Sequence, residues 1–358
     1  MQIEALRQRL RELGAKPAHE ARILRAWLTG QPLTAGPRKA EDVLPLAVRE
    51  ALPALAAELD ALARVRSEHP GEDGSARLLV ELADGQTIES VLLLKDGLCV
   101  STQVGCAVGC TFCMTGRDGL LRQLGSAEIV AQVVLARRRR PVKKVVFMGM
   151  GEPAHNLENV LAAIDLLGRE GGIGHKNLVL STVGDRRVFE RLEAMRAGDV
   201  RPALALSLHT TDPELRARLL PRAPQISIEE MVERAEAWAR ASGYPIQYQW
   251  TLLDGVNDGE AEIDGIVRLL RGKYAVMNLI PYNENEGLRG ENGEIWRRPP
   301  PGRAAGMLRA LHRRGILTKL RTSAGQDVDG GCGQLRARTT IARGDIKRAA
   351  RAPLSGCD

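Results

Sequence analysis

Cys106, Cys110 and Cys113 fall within eight residues in the stretch VGCAVGCTFCMTG, and they are half of the six cysteines in 358 residues. Clustered thiols in a reducing compartment more often bind metal or do chemistry than form structural disulfides. Thiolates are soft ligands that suit zinc or iron–sulfur clusters. A structural zinc site usually closes four ligands, yet the C-x3-C-x2-C run has no fourth Cys or His at ligand spacing beside it. A 4Fe–4S cluster held by three cysteines keeps one iron open to a small molecule, which accounts for the odd count. A zinc site completed by a distant residue, or three unligated buried cysteines, is the plainer alternative.

The elements that would position this loop are repetitive. Apolar, β-branched runs occur at 98–104, 144–149, 177–183, 203–209, 246–253 and 276–280, with helix-like stretches such as SAEIVAQVVLARRRR and LENVLAAIDLLG between them. Ser126 is the expected N-cap of the first of these helices. Such alternation predicts parallel strands with right-handed helical crossovers. Six units fall short of a full eightfold barrel, so the expected fold is α/β, a partial (β/α)6 barrel. Chemistry in such folds gathers at the C-terminal ends of the strands. That singles out the cysteine loop, Glu152, Ser181, His209 and Asn283. Upstream, LLVELADGQTIESVLLL places Asp-Gly between two apolar runs and predicts a hairpin. Residues 1–70 read as a small helical domain, 71–97 as the hairpin extension, 98–335 as the core and 336–358 as a basic tail.

The net charge of +7 is concentrated: from Arg303 to Arg351 there are twelve Lys or Arg and three Asp or Glu. A basic C-terminal region suits a polyanion such as RNA, and it equally suits a solvated surface. No apolar run approaches the roughly 20 residues of a membrane helix, and the charged, amphipathic MQIEALRQRLRELG lacks the apolar stretch of a signal peptide. A cytoplasmic protein without membrane contact is expected, and nothing in the sequence demands more than a monomer.

The C-x3-C-x2-C motif, with Phe112 before its last cysteine, resembles the radical S-adenosylmethionine (SAM) superfamily, and GMGEP (149–153) resembles that superfamily's glycine-rich element. The ordered set CVSTQVGCAVGCTFCMTG, MGMGEPAHNLENV, LSTVG, SLHTTDPELRARLLPRAP, LLDGVND, NLIPYN and GQDVDGGCGQL narrows the likeness, covering about two thirds of the chain. It is similar to the family that methylates carbon 2 of an adenosine in 23S ribosomal RNA and, in some members, tRNA. A sister group methylates carbon 8. The resemblance implies one 4Fe–4S cluster on Cys106, Cys110 and Cys113, two SAM per turnover, and an electron donor such as flavodoxin.

It also implies roles for residues outside the cluster loop. Cys332 is methylated by one SAM; a second SAM, cleaved at the cluster, generates a radical that takes hydrogen from that methyl. The carbon radical adds to adenine and joins RNA to protein. Glu89 takes the adenine proton, and Cys99 attacks the Cys332 sulfur to release methylated RNA with a transient disulfide. Gly151 and Glu152 meet the SAM amino group, while Ser181, Ser207, Leu208, His209 and Asn283 line its ribose and adenine. On residue type alone, Cys99 reads as a small buried apolar residue, Glu89 as a solvent-facing strand residue and His209 as a satisfied core histidine. Cys357 has no expected role.

Thr322 and Ala324 stand where that family is expected to carry basic residues, and the ENEGLRGENGEIWRRPPP loop also departs from its pattern. A divergent paralogue acting at carbon 8 or on another RNA adenosine is the alternative reading. A non-catalytic, metal-bearing RNA-binding protein is the other. Aromatic residues are only 3% of the chain, which argues against a base-stacking platform for single-stranded RNA.

Overall fold

A computed structural model of the chain describes residues 1–284, 288–290 and 293–321. Cys332, Cys357, Thr322, Ala324 and the 336–358 segment lie outside the described residues.

The chain opens with four helices, α1 (Ile3–Glu12), α2 (Pro17–Leu28), α3 (Ala40–Val43) and α4 (Leu46–Ala61). In α1 the buried residues are Ile3, Leu6 and Leu10, the three-and-four spacing that gives a helix one apolar face. Three antiparallel strands follow: β1 (Ala63–Pro70), β2 (Ala76–Leu82) and β3 (Thr87–Leu93). Asp84-Gly85 turns β2 into β3 as the hairpin signal predicts, with Gly85 in the left-handed region at φ +79°. β1 corrects the expectation of a wholly helical segment to residue 70. Its sequence ARVRSEHP has no apolar run, because it is the sheet's outermost strand and shows alternate residues to solvent.

The remaining elements are β4 (Gly97–Cys99), β5 (Gln103–Gly105), β6 (Leu120–Gln123), α5 (Ser126–Arg137), β7 (Lys144–Phe147), α6 (Leu157–Arg169), β8 (Leu178–Thr182) and α7 (Arg186–Glu193). Then come β9 (Ala203–Ser207), α8 (Pro213–Leu219), α9 (Ile228–Ser242), β10 (Ile246–Leu252), α10 (Glu260–Leu270), β11 (Ala275–Pro281), α11 (Pro301–Arg313) and β12 (Thr318–Leu320). The main sheet runs β1-β2-β3-β4-β7-β8-β9-β10-β11-β12. It is parallel from β4 to β12, so the barrel is partial and open, with seven parallel strands among the described residues. The seventh, β12, escaped the sequence reading because TKL offers three residues and no apolar run. The run expected as one strand over 98–104 is divided. β4 joins the barrel, whereas β5 pairs with β6 in a separate ribbon whose loop carries the three cysteines.

The two faces of the sheet differ in chemistry. Leu98, Val145, Phe147, Leu180, Leu204, Leu206, Tyr248, Trp250 and Leu279 point to the helices, in one apolar core shared with the N-terminal helices. The alternate residues, including Cys99, Val146, Val179, Ala203 and Ala205, pack together on the opposite, concave face. In β10 the alternation is complete: Ile246, Tyr248, Trp250 and Leu252 are buried while Gln247, Gln249 and Thr251 are only partly so. A parallel strand covered on both faces usually reads as a continuous apolar run; polar residues at every second position therefore give the concave side of β10 a polar character that the apolar stretch from Val91 to Ala205 lacks.

α5 shows why its sequence is apolar all round. It packs against α2, α6 and β1, and every residue from Ser126 to Ala136 is buried. Ser126 is its first helical residue rather than its N-cap; its hydroxyl accepts from the Ile3 N–H at 2.8 Å, fastening the N-terminus to the barrel. Gly125 takes the cap position, and its N–H donates to Glu128 Oε2 at 2.7 Å. The basic run after α5 is absorbed by neighbours: Arg137 caps the carbonyls of Leu28, Val142 and Gly171, Arg138 pairs with Asp60, Arg139 with Glu68, and Arg140 donates to the carbonyls of Gly74 and Leu93.

Candidate active site

The cysteine loop sits over the C-terminal ends of the parallel strands and is pinned by backbone contacts. Cys106 N–H donates to the Gly119 carbonyl at 3.0 Å, Thr111 N–H to that of Leu219 at 3.0 Å, and Arg222 N–H to that of Val108 at 3.3 Å. Trp296 Nε1 closes the outer side by donating to the Thr111 carbonyl at 3.2 Å. Gly109 lies at φ +67°, and a Cβ there would fall 2.3 Å from the Arg222 guanidinium. Underneath, Val108 packs with Leu215, Leu219, Leu220, Leu253 and Tyr282, against which Cys106, Cys110 and Phe112 lean.

All three thiols line a cavity of about 310 Å³ together with Gly151, Glu152, Ser181, Ser207, His209, Gln249, Thr251 and Asn283. The structure thus brings together, around one cavity, the cysteines and every residue expected to line SAM except Leu208. The Leu208 side chain is fully buried in the helix-side core, and only its backbone is engaged near the site, its N–H donating to the Gln249 carbonyl at 3.0 Å and its carbonyl accepting from Arg216 Nη1 at 2.7 Å. The reason is the pleat: Leu208 follows Ser207 and faces the other side of the sheet. Glu89 and Cys99 lie on the concave face of the same sheet but do not line this cavity.

The thiols are held as an electrostatically strained group. Burial pushes Cys106 up to about 12, and the nearby Glu152 and Cys113 add to it. Burial likewise raises Cys110 well above an ordinary thiol, followed by Cys113 and Cys106. Thiols so disposed lose their protons together only when a cation compensates. Among the described residues no set of three or more His, Cys, Asp or Glu is gathered to hold a single metal ion, and the three thiols line one cavity. Behind them Arg216, 7% exposed, donates to the carbonyls of Val183, Ser207 and Leu208, with no carboxylate in ion-pair reach among the described residues. Its guanidinium, pushed down to about 10 by burial, feels the Cys110 and Glu152 charges. A polynuclear cluster on the three thiolates fits this donor set and this buried cation.

Glu152 is 4% exposed and is pushed up to about 7 by burial, against the lowering effect of hydrogen bonds from Ala154 N–H, the Thr182 side chain and Val183 N–H. Its two oxygens accept from Ala154 N–H and Val183 N–H, each at 3.0 Å. Because the folded value is raised, the stability it contributes is present below the usual carboxylate range and is lost as pH rises through about 7. A ligand ammonium beside it reverses that loss, which suits a ligand amino group. Gly151, at φ +102°, is required here: a Cβ would lie 2.5 Å from the Gln103 Cβ. Gln103 in turn accepts from Glu152 N–H at 2.7 Å and donates to Gln123 at 2.8 Å.

His209 is held at φ +63°, a sparsely populated conformation for a residue with a side chain. Its Nδ1 accepts from Thr251 N–H at 3.0 Å, so the neutral ring carries its proton on Nε2. Burial, then Arg216, pushes it down to about 3, so it is a neutral donor throughout the physiological range. Its ring meets the edge of Phe112 at 4.9 Å between centroids, which links it to the cysteine loop.

Sequence reasoning missed Gln103, Arg216, Gln249 and Thr251. The usable signal was a polar residue inside an otherwise apolar strand, as in CVSTQV and IQYQWTL. For Arg216, within PELRARLL, helical charge patterning gave no sign of burial.

Known proteins point the same way. The radical SAM superfamily model matches residues 100–267. A probable RNA methyltransferase of Azoarcus sp. (strain BH72) is 72% identical over 338 residues, covering 94% of this chain and 95% of that protein. One from Stutzerimonas stutzeri (strain A1501) is 70% identical, covering 94% and 97%. The crystal structure of a radical SAM methyltransferase from Sphaerobacter thermophilus superposes with a TM-score of 0.78 at 32% identity, over 93% of this chain and 97% of that one. No helix among the described residues is long and apolar enough to cross a membrane. Cysteine loop, glycine-rich strand end, partial barrel and relatives agree: this chain belongs to the radical SAM RNA methyltransferases.

Proposed function

We propose that the enzyme methylates an adenine carbon of RNA, carbon 2 of an adenosine in 23S ribosomal RNA or tRNA, through an S-methyl group carried on Cys332. The observation that carries this reading is the concave face of the sheet. Glu89 and Cys99 both occupy it, continuous with the strands whose ends bear Ser181 and Ser207 at the cavity. A radical SAM enzyme acting on a small molecule gives no reason for that pair to be there.

In this reading Cys106, Cys110 and Cys113 hold one 4Fe–4S cluster, and Gly151, Glu152, Ser181, Ser207, His209 and Asn283 hold SAM. When bound, cluster and SAM supply radical chemistry and the methyl groups, two SAM per turnover, with a flavodoxin-like donor feeding electrons. The chain's own residues do the rest. Glu152 takes the ligand ammonium, and His209 offers its Nε2 proton to a ligand acceptor. Glu89 accepts the proton lost from adenine carbon 2. The Cys99 thiolate then attacks the Cys332 sulfur: the new S–S bond replaces the bond joining Cys332 to the methylene carbon, that carbon takes a proton, and methylated RNA departs.

Cys99 is buried, a free thiol, and pushed up to about 12 chiefly by burial. It is inert at rest, as a group should be that acts only once RNA is attached. A monomer suffices for every step.

Two measurements test the reading. Anaerobic reconstitution with iron and sulfide, followed by incubation with SAM, reductant and RNA from a strain lacking the endogenous enzyme, yields 2-methyladenosine by mass spectrometry. Finding 8-methyladenosine moves the assignment to carbon 8; 5′-deoxyadenosine without any methylated adenosine removes the substrate assignment. Second, SAM binds about tenfold more weakly at pH 6 than at pH 8, because Glu152 must be ionised to pair with the amino group. Glu152→Gln removes that pH dependence, and calorimetry that finds it unchanged in the variant assigns it elsewhere.

A further inference from the structure

We propose that Arg77 is a positioning residue of the methyl-transfer site, holding the Glu89 carboxylate ionised and aligned with Cys99 on the concave face of the sheet. The inference rests on the reading of Glu89 as the acceptor of the adenine proton. Arg77 Nη1 donates to Glu89 Oε2 at 2.9 Å, and the two side chains are 3% and 2% exposed. Strand register fixes the arrangement. Val91 of β3 lies opposite Arg77 of β2 on one side and opposite Cys99 of β4 on the other, which makes one row across three strands. Glu89 is one pleat further along β3, facing the same way as Val91.

A carboxylate buried this deeply takes up a proton unless a cation is paired with it. A protonated carboxyl cannot accept the adenine proton. The row that Arg77, Val91 and Cys99 share runs on into Val146 and Val179, an apolar stretch one pleat from the carboxylate. Among the described residues, the ionisable groups that the strand register places on this face are Arg64 and His69 from β1, Arg77 and Glu81 from β2, Cys99 from β4, Lys144 from β7 and Lys319 from β12; His69 lies opposite Arg77, with its Nε2 3.0 Å from Ser67 Oγ. Glu81 is itself engaged by Arg64 at 2.8 Å. Arginine suits the task because its guanidinium stays charged when buried. The same cation acts on Cys99, favouring its thiolate, while Glu89 opposes it. Arg77 therefore serves both the proton acceptor and the thiol that follows it. A pair that merely fastened the hairpin to the barrel would affect stability and leave the pH dependence of the reaction where it was.

The first test uses the wild-type enzyme. Its infrared difference spectrum against Glu89→Gln is expected to show an ionised carboxylate at neutral pH; a protonated carboxyl band there overturns the proposal. Next, Arg77→Met and Arg77→Gln are compared with Arg77→Lys in the reconstituted enzyme acting on RNA. The neutral variants are expected to lose more than about tenfold in rate at neutral pH, with the acidic limb of the rate profile moved up by about one pH unit or more. Lysine restores both. A neutral variant whose limb stays put and whose Glu89 remains ionised sinks the idea. If Glu89→Gln turns over like the wild type, the proton-acceptor reading fails by itself, and the infrared bands still report what Arg77 does to Glu89.

Discussion

Alanine at Cys110 leaves the anaerobically reconstituted protein with a small fraction of the wild-type iron and no detectable cleavage of SAM. The same holds for Cys106 and Cys113. Two thiolates cannot replace three on a cluster that already has one iron without a protein ligand. Each side chain lies in a loop whose backbone is bonded to neighbours on several sides, so the loop should persist without the metal; circular dichroism should be nearly unchanged while the iron–sulfur absorption disappears. The loss in rate should be on the order of 10³ or more, as when a group that acts as part of a unit is removed. Full iron loading in any of the three alanine variants assigns the cluster to other ligands and overturns the cysteine assignment.

The second large effect separates the two isolated cysteines. Cys99→Ala is expected to accumulate a covalent protein–RNA species, visible as a slowed band on a denaturing gel, with release slowed on the order of 10³ or more. Cys332→Ala forms no such species and no methylated RNA. The contrast follows from their proposed order of action: one carries the carbon, the other frees it. Because Cys99 packs among Val91, Val146 and Val179, its replacement by alanine removes only a small apolar volume, and the fold should be retained. Free turnover by Cys99→Ala would remove the release role. Adduct formation by Cys332→Ala would place the carrier on another residue.

Thr322 and Ala324 lie outside the described residues, whereas Trp296 of the unusual loop is seen bonded to the Thr111 carbonyl and packed near the cysteines. Trp296 therefore backs the cysteine loop without lining the cavity.

Much of this protein was legible in order of appearance. The C-x3-C-x2-C spacing, the Asp-Gly turn and the alternation of β-branched runs with helical stretches are local signals, and local hydrogen bonding and periodicity realise them where they stand. The sequence alone also pointed to the cysteine loop, Glu152, Ser181, His209 and Asn283 at the cavity, because strand ends in a parallel α/β fold are where side chains can leave the sheet, but it passed over Gln249 and Thr251. Three things required the tertiary structure. β1 and β12 form only because a neighbouring strand offers its edge, so their own residues carry no signal. Leu208 faces away from the site because a strand alternates its faces, and which face is the lumen depends on how the sheet curves and what covers it. The pairing of Arg77 with Glu89 joins two strands of a hairpin across a register that no motif specifies. What makes Glu89 more than a surface carboxylate is its burial, and burial belongs to the assembled fold.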